Sequence, residues 1–307
     1  MTQDIQTPAR TDEASATRRL VSAGAVMAAG TALSRVLGFV RLVVLVALVV
    51  LAVLWVALLR LFDVSTFVGK TPLDVFGYLF SEAPPRAVRA SNLTAETARS
   101  QLLDAWLVTV GDAAIGFVTG LVIASVIAAL FVIVKPFEFA FMPIAMLLRS
   151  VPLVAMAPVL LLIFGQGKLG VATIGAIVVL FPALVNIVLG LRSASPLALD
   201  LIKVNGGGEL KTLLMVRVPA ALPAVFASIR ISVPGAIVGA MLAEWLSGFT
   251  GLGGILNAYK GRGNFSGVWA IVVVSVVTSI VGYAIAAVVE AAALAAWGPD
   301  AGKSARR

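Results

Sequence analysis

Apolar residues fall into six long blocks separated by short polar stretches. Leu42–Leu59 carries no charge in eighteen residues and is bracketed by Arg41 and Arg60. At about 1.5 Å per residue such a helix reaches roughly 27 Å, enough for a bilayer core. Ala105–Val134 is entered past Asp104 and stopped by Lys135-Pro136. Phe137–Phe164 contains Pro143, Pro152 and Pro158; Leu169–Leu191, Pro219–Trp245 and Val268–Trp297 follow. The pattern predicts an all-α integral membrane protein with six spanning helices. Residues 1–41 read as a cytosolic tail and lead-in helix, 42–59 as the first span and 60–103 as an extracytoplasmic loop. Residues 104–297 read as the membrane core and 298–307 as a cytosolic tail.

Composition agrees. Sixty per cent of the 307 residues are hydrophobic and 12% are charged, with a mean hydropathy of +1.06. Soluble domains run near 45–50% and about 25%. With neither cysteine nor histidine, disulfides, thiol nucleophiles, Ser-His-Asp triads and His-based metal sites are excluded. No cofactor and no metal site is expected in the chain. The net charge of +8 reads as a topology signal rather than a nucleic-acid surface. Even-numbered spans put both termini on one side. With that side inside, the inner segments hold thirteen Lys and Arg, the outer ones eight, and the spans the remaining two. Both termini are therefore expected in the cytoplasm.

Residues 1–20 have the composition of a solvated tail. Arg18-Arg19 before a small-residue stretch invites a signal-peptide reading, but Arg35 and Arg41 occupy the cleavage zone. Residues 26–41, VMAAGTALSRVLGFVR, resemble the opening of the lipid-flippase family related to MviN, over those sixteen residues alone. Gly165-Gln-Gly-Lys-Leu-Gly170 matches GxGxxG but lies between two apolar blocks, without the strand–turn–helix context a dinucleotide needs. Gly298-Pro-Asp-Ala-Gly-Lys-Ser304 is one residue short of a phosphate loop. Any ATP-driven activity must therefore draw on another subunit.

Residues 192–218 form the longest polar interruption in the second half of the chain. Ser195-Pro196 can open a helix, Leu197–Val204 continues it, and Asn205 with Gly206–Gly208 breaks it. Glu209–Val216 then predicts a second short helix, stopped by Pro219. A connecting loop would average about four to six residues, so this reads as a docking knob. Its spacing resembles the cytosolic motif of ATP-binding-cassette importer permeases: EAA, three residues, Gly, nine residues, Ile, one residue, Leu-Pro. Asp200-Leu201-Ile202 fills the EAA place, Gly206 the glycine, Val216 the isoleucine and Val218-Pro219 the Leu-Pro. The likeness extends over roughly residues 66–297, to the nitrate, sulfonate and taurine branch. It includes Arg149-Ser-Val-Pro152, Ala157-Pro158, Phe164-Gly165-Gln-Gly, Phe181-Pro182, Asn186, PAALPAVFASIR ending at Arg230, Glu244, and Gly251-Leu-Gly253-Gly.

The resemblance implies the type I permease fold with cytosolic coupling helices, in a bacterial plasma membrane. It implies two ATPase subunits seated on the knob, an extracytoplasmic binding protein, a second copy of the permease and no nucleic acid. The residues it implies for ATPase coupling are Asp200, Val204, Gly206, Gly207, Glu209, Leu213 and Pro219. The residues themselves point elsewhere as well. Arg149 and Arg230 lie about eleven or twelve residues into their blocks, where each charge is costly and faces protein or water. Asp112 is a possible counter-charge. Pro152 and Pro158 free carbonyls that only protein or a cavity satisfies. With Glu244, these form a candidate pathway set: Arg149, Pro152, Pro158, Arg230, Glu244. Glu244-Trp245, at the outer end of its block, reads as a gate or an interfacial anchor, and Gly251–Gly254 as a re-entrant loop. Two unpaired arginines favour a small anionic cargo. Alternatives are an ion-coupled secondary carrier, which needs acidic relays, and a flippase-like protein.

Overall fold

The computed structural model describes residues 46–81, 95–248 and 250–296, apart from the side chains at 145, 146, 148, 149 and 296. The tail, the lead-in residues 26–41 and the Gly298–Ser304 motif lie outside the described residues. The chain divides into two units, Met1–Pro72 and Leu73–Arg307. Among the described residues of the first unit, α1 (Val46–Leu61) is a short apolar helix. It ends in a tight turn where Asp63 adopts a positive φ of 47°, and Lys70 donates to the Thr66 carbonyl at 2.7 Å.

Among its described residues the second unit consists of helices joined by turns, with no strand. Its elements are α2 (Pro72–Phe80), α3 (Ala95–Ile133), α4 (Lys135–Ser150), α5 (Leu153–Phe164), α6 (Lys168–Arg192), α7 (Pro196–Val204), α8 (Glu209–Thr212), α9 (Val218–Ser247), α10 (Gly251–Gly261) and α11 (Phe265–Ala296). A π-helical turn, Leu213–Arg217, joins α8 to α9. Among the described residues, four rods are long and apolar enough to cross a membrane: Ala95–Ile133, Lys168–Arg192, Glu209–Ser247 and Phe265–Ala295.

Three departures from the sequence pattern have physical causes. The third apolar block is two helices, because Pro152 sits in extended backbone (φ −66°, ψ 114°) and interrupts the hydrogen-bond ladder. Helix α3 starts at Ala95, ten residues before its apolar block, because Glu96, Arg99 and Asp104 sit in helical turns beyond the apolar stretch. Pro219 does not stop the second short helix; α8, the π-turn and α9 form one 39-residue rod, Glu209–Ser247. The π-turn shifts the bonding register just before the proline, with Val218 N–H reaching the Leu213 carbonyl. That wider turn relieves the clash a proline ring makes with the carbonyl four residues back.

Helices α3, α6 and α9 form the centre, and small residues decide how closely they approach. On α3, Ala113, Gly116, Gly120, Ala124 and Ala128 are buried at three- and four-residue spacings, which places them on one stripe. A Cβ at Gly120 would lie 2.6 Å from the Ala176 carbonyl oxygen, and one at Gly116 would lie 2.9 Å from Gly175 Cα. Gly239 of α9 meets the same Gly175 from the other side, its Cβ position 3.1 Å from that Cα. Lipid is as apolar as leucine, so close backbone packing of this kind holds membrane helices together. Longer side chains fill the flanks: Ile174, Val179 and Ile237 at one level, Phe131, Leu184, Ile187 and Leu213 at another.

Candidate functional site

Two polar regions stand out, one at the end of the bundle that carries α7 and α8 and one inside it. Helix α7 opens with Pro196 at its first turn, after Ser195, and has no buried residue. Leu197, Leu201 and Val204 are 80%, 63% and 86% exposed, and their spacing of four and three puts them on one face. Leu210, Leu214 and Met215 add exposed apolar surface on α8 and the π-turn. Asp200 is exposed on α7, and Glu209 bridges to Lys203 at 3.0 Å, tying the two short helices together.

The turn between them needs glycine for two different reasons. Gly206 takes a left-handed φ of +74° with open space around it. Gly207 donates to the Ile202 carbonyl at 2.8 Å, and a Cβ there would lie 2.8 Å from that same oxygen. The knob is anchored from below. Leu213 is buried in the core with Leu184, Ile187 and Leu191, so it holds the knob and does not share its surface. Arg217 donates to the Leu191 carbonyl at 3.3 Å, at the C-terminal end of α6 where a cation is favourable. Arg192 pairs with Glu138 of α4. Pro219 lies in the first turn of α9.

Of the candidate pathway set, Pro152 and Pro158 are exposed on the surface of the chain; Arg149 belongs to α4, but its side chain lies outside the described ones. Arg230 is not unpaired. It bridges to Glu290 of α11 at 2.9 Å, and its guanidinium carbon stands 5.6 Å from the centre of the Tyr283 ring. Asp112 is therefore not its counter-charge. Glu290 escaped the sequence reading because it lies near the far end of the sixth block.

Glu244 is not at a lipid interface. It is fully buried, and its Oε2 accepts from Thr109 Oγ1 at 2.8 Å and from the Gly253 N–H at 2.9 Å. Thr109 Oγ1 in turn accepts from the Leu252 N–H at 2.8 Å. The glycine-rich segment after it, read from the sequence as a re-entrant loop, forms the first turn of a regular helix, α10. Nothing in a lone threonine of an apolar block announced this role for Thr109. Farther along, Tyr259 donates to Gln101 at 3.0 Å and Asn264 to Tyr78 at 3.1 Å, fixing α10 and the start of α11 to α3 and α2.

Comparisons with known proteins follow the same elements. Residues 116–294 match the family of binding-protein-dependent transport system inner membrane components. A probable ABC transporter permease protein of Haemophilus influenzae is 31% identical over 199 residues, 64% of this chain and 76% of that relative. A riboflavin transport system permease protein of Chloroflexus aurantiacus is 31% identical over 124 residues, 40% of this chain and 46% of its own length. A formylaminopyrimidine transport permease protein of Halalkalibacterium halodurans is 27% identical over 176 residues, 57% of this chain and 70% of the relative.

Proposed function

The chain belongs to the family of binding-protein-dependent transport system inner membrane components, and from that premise we propose that it is the permease subunit of an ATP-driven importer of a small solute. The observation that carries this is the knob: α7 and α8, with Leu197, Leu201 and Val204 bare on one face, project from a bundle of membrane helices. Exposed apolar surface rimmed by Asp200, Lys203 and Glu209 is what a protein partner covers. In our reading that partner is an ATPase subunit, two per complex, on a homodimer of this chain. The knob and both termini lie in the cytoplasm, and a binding protein delivers cargo at the α10 end. The chain supplies the pathway and no ATP chemistry.

The cargo is read more coarsely. Arg230 is neutralised by Glu290, so an anion such as sulfonate, taurine or nitrate is supported by the place of Arg149 in the sequence and by a Bacillus subtilis relative named for aliphatic sulfonates, 28% identical over 146 residues. The relatives named for riboflavin and formylaminopyrimidine widen the choice to heteroaromatic solutes. The test is reconstitution in liposomes with a phosphate-loop ATPase subunit and an exported binding protein, sought among the neighbours of this gene. ATP-dependent uptake of one member of a panel containing sulfonate, taurine, nitrate, riboflavin and a pyrimidine is expected. Uptake driven by an ion gradient without ATPase would replace the importer with a secondary carrier.

A further inference from the structure

We infer that the contact between Glu244 and the first turn of α10 is a latch, closed in this structure, that opens when the transporter changes access. The inference rests on the importer reading. Helix α9 stops at Ser247, capped by Gly248 at φ +76°, and α10 begins three residues later at Gly251. The first turn of α10 has free N–H groups like any helix start, and Thr250 provides no side-chain cap. The caps come from two other helices: Gly253 N–H goes to Glu244 of α9, and Leu252 N–H to Thr109 of α3. Three elements meet at one carboxylate.

Glycines let α10 close onto it. Gly251 sits at φ +72°, and a Cβ there would overlap the Glu244 carboxylate. A Cβ at Gly253 would lie 2.8 Å from Glu244 Cβ and 2.7 Å from the Trp245 nitrogen.

The chemistry of the cap is what separates a latch from a staple. A permanent staple needs only an acceptor, which a serine or glutamine supplies. Here a carboxylate is enclosed with no cation bridging it among the described residues, and its Oε1 has no hydrogen-bond partner. Asp112, a second buried acid one turn along α3 from Thr109, adds to the electrostatic load. The positive end of α10 and two hydrogen bonds on Oε2 offset part of the burial cost; hydration of the carboxylate after opening would offset it too. Closed and open arrangements are thus brought near balance, which a segment that alternates between two states requires.

The chain has no native cysteine, so single cysteines report directly. Leu252, 1% exposed, is replaced by Cys (Leu252→Cys) in the complex with its ATPase in nanodiscs. A maleimide is applied without nucleotide and after trapping with ATP and vanadate. Ala240→Cys, at a fully buried position of α9, is the control. The latch predicts protection of Cys at 252 in one state and rapid labelling in the other, with the control protected in both. Glu244→Ala, or Thr109→Val if that chain does not assemble, should label at least about tenfold faster in the protected state, because each removes two hydrogen bonds of the cluster and the loss of one charge-assisted bond alone corresponds to about that factor. Equal labelling at 252 in both states, or no change in either variant, overturns the latch. A chain that never assembles with an ATPase overturns the importer reading instead.

Discussion

Replacing Gly206 separates two reasons for a glycine at the knob. Its φ of +74° costs a residue with a Cβ about 1–2 kcal/mol. Nothing within 4 Å would meet that Cβ, so alanine brings backbone strain and no clash inside the chain. Asparagine tolerates left-handed backbone far better but fills more space. If the open volume exists because a partner's backbone fills it, both variants obstruct docking. We expect Gly206→Ala to lower the stability of the isolated chain by about 1 kcal/mol and Gly206→Asn to leave it nearly unchanged. Both should weaken ATPase binding by at least ~tenfold, a loss of about 1.4 kcal/mol. Thermal unfolding of the permease in detergent gives the first quantity, and titration with fluorescently labelled ATPase gives the second. An asparagine variant that binds and couples like the parent would refute close approach and leave φ as the sole demand for glycine.

Other outcomes follow from the geometry. Gly120→Val drives a branched side chain into the Ala176 carbonyl and Val179; unfolding scans should show a loss of about 2–3 kcal/mol. Arg230→Gln strands Glu290, whose side chain is 15% exposed, while the arginine itself is 33% exposed. The expected loss is about 2 kcal/mol after allowing for that exposure, largely restored in the Arg230→Gln/Glu290→Gln double variant. If the double variant also keeps uptake, the pair fastens α9 to α11; if it assembles and loses uptake, the pair meets cargo. The purified chain, without a complete phosphate-loop motif, should release no phosphate from ATP above background; robust hydrolysis by the chain alone would contradict the assignment of roles.

The sequence revealed most where one principle governs a segment alone. Apolar length announces α3, α6, the α9 rod and α11. Ser195-Pro196 and Gly206–Gly208 announce the helix–turn–helix of the knob, because proline and glycine act locally. The failures are tertiary. Pro219 looked like a stop because nothing in the sequence signals a π-turn at Leu213–Arg217. For Glu244, beside a tryptophan at the end of an apolar block, the sequence left a gate and an interfacial anchor open, and only the fold shows α10 turning back to seal it. Arg230 looked unpaired because its partner lies sixty residues away on another helix. Leu213 looked like part of the knob's surface because it is close to it in the chain, but the turn points it into the core.

The central claim is that an ATPase sits on α7 and α8. Val204 is 86% exposed, and the chain has no native cysteine to interfere. A Val204→Cys permease, co-expressed with a partner ATPase bearing single cysteines along its candidate groove, can be oxidised in membranes while uptake is followed. The account predicts a disulfide-linked permease–ATPase species whose formation stops uptake and whose reduction restores it. Sustained ATP-driven uptake with no adduct at Val204→Cys, nor at Leu197→Cys or Leu201→Cys, would contradict it.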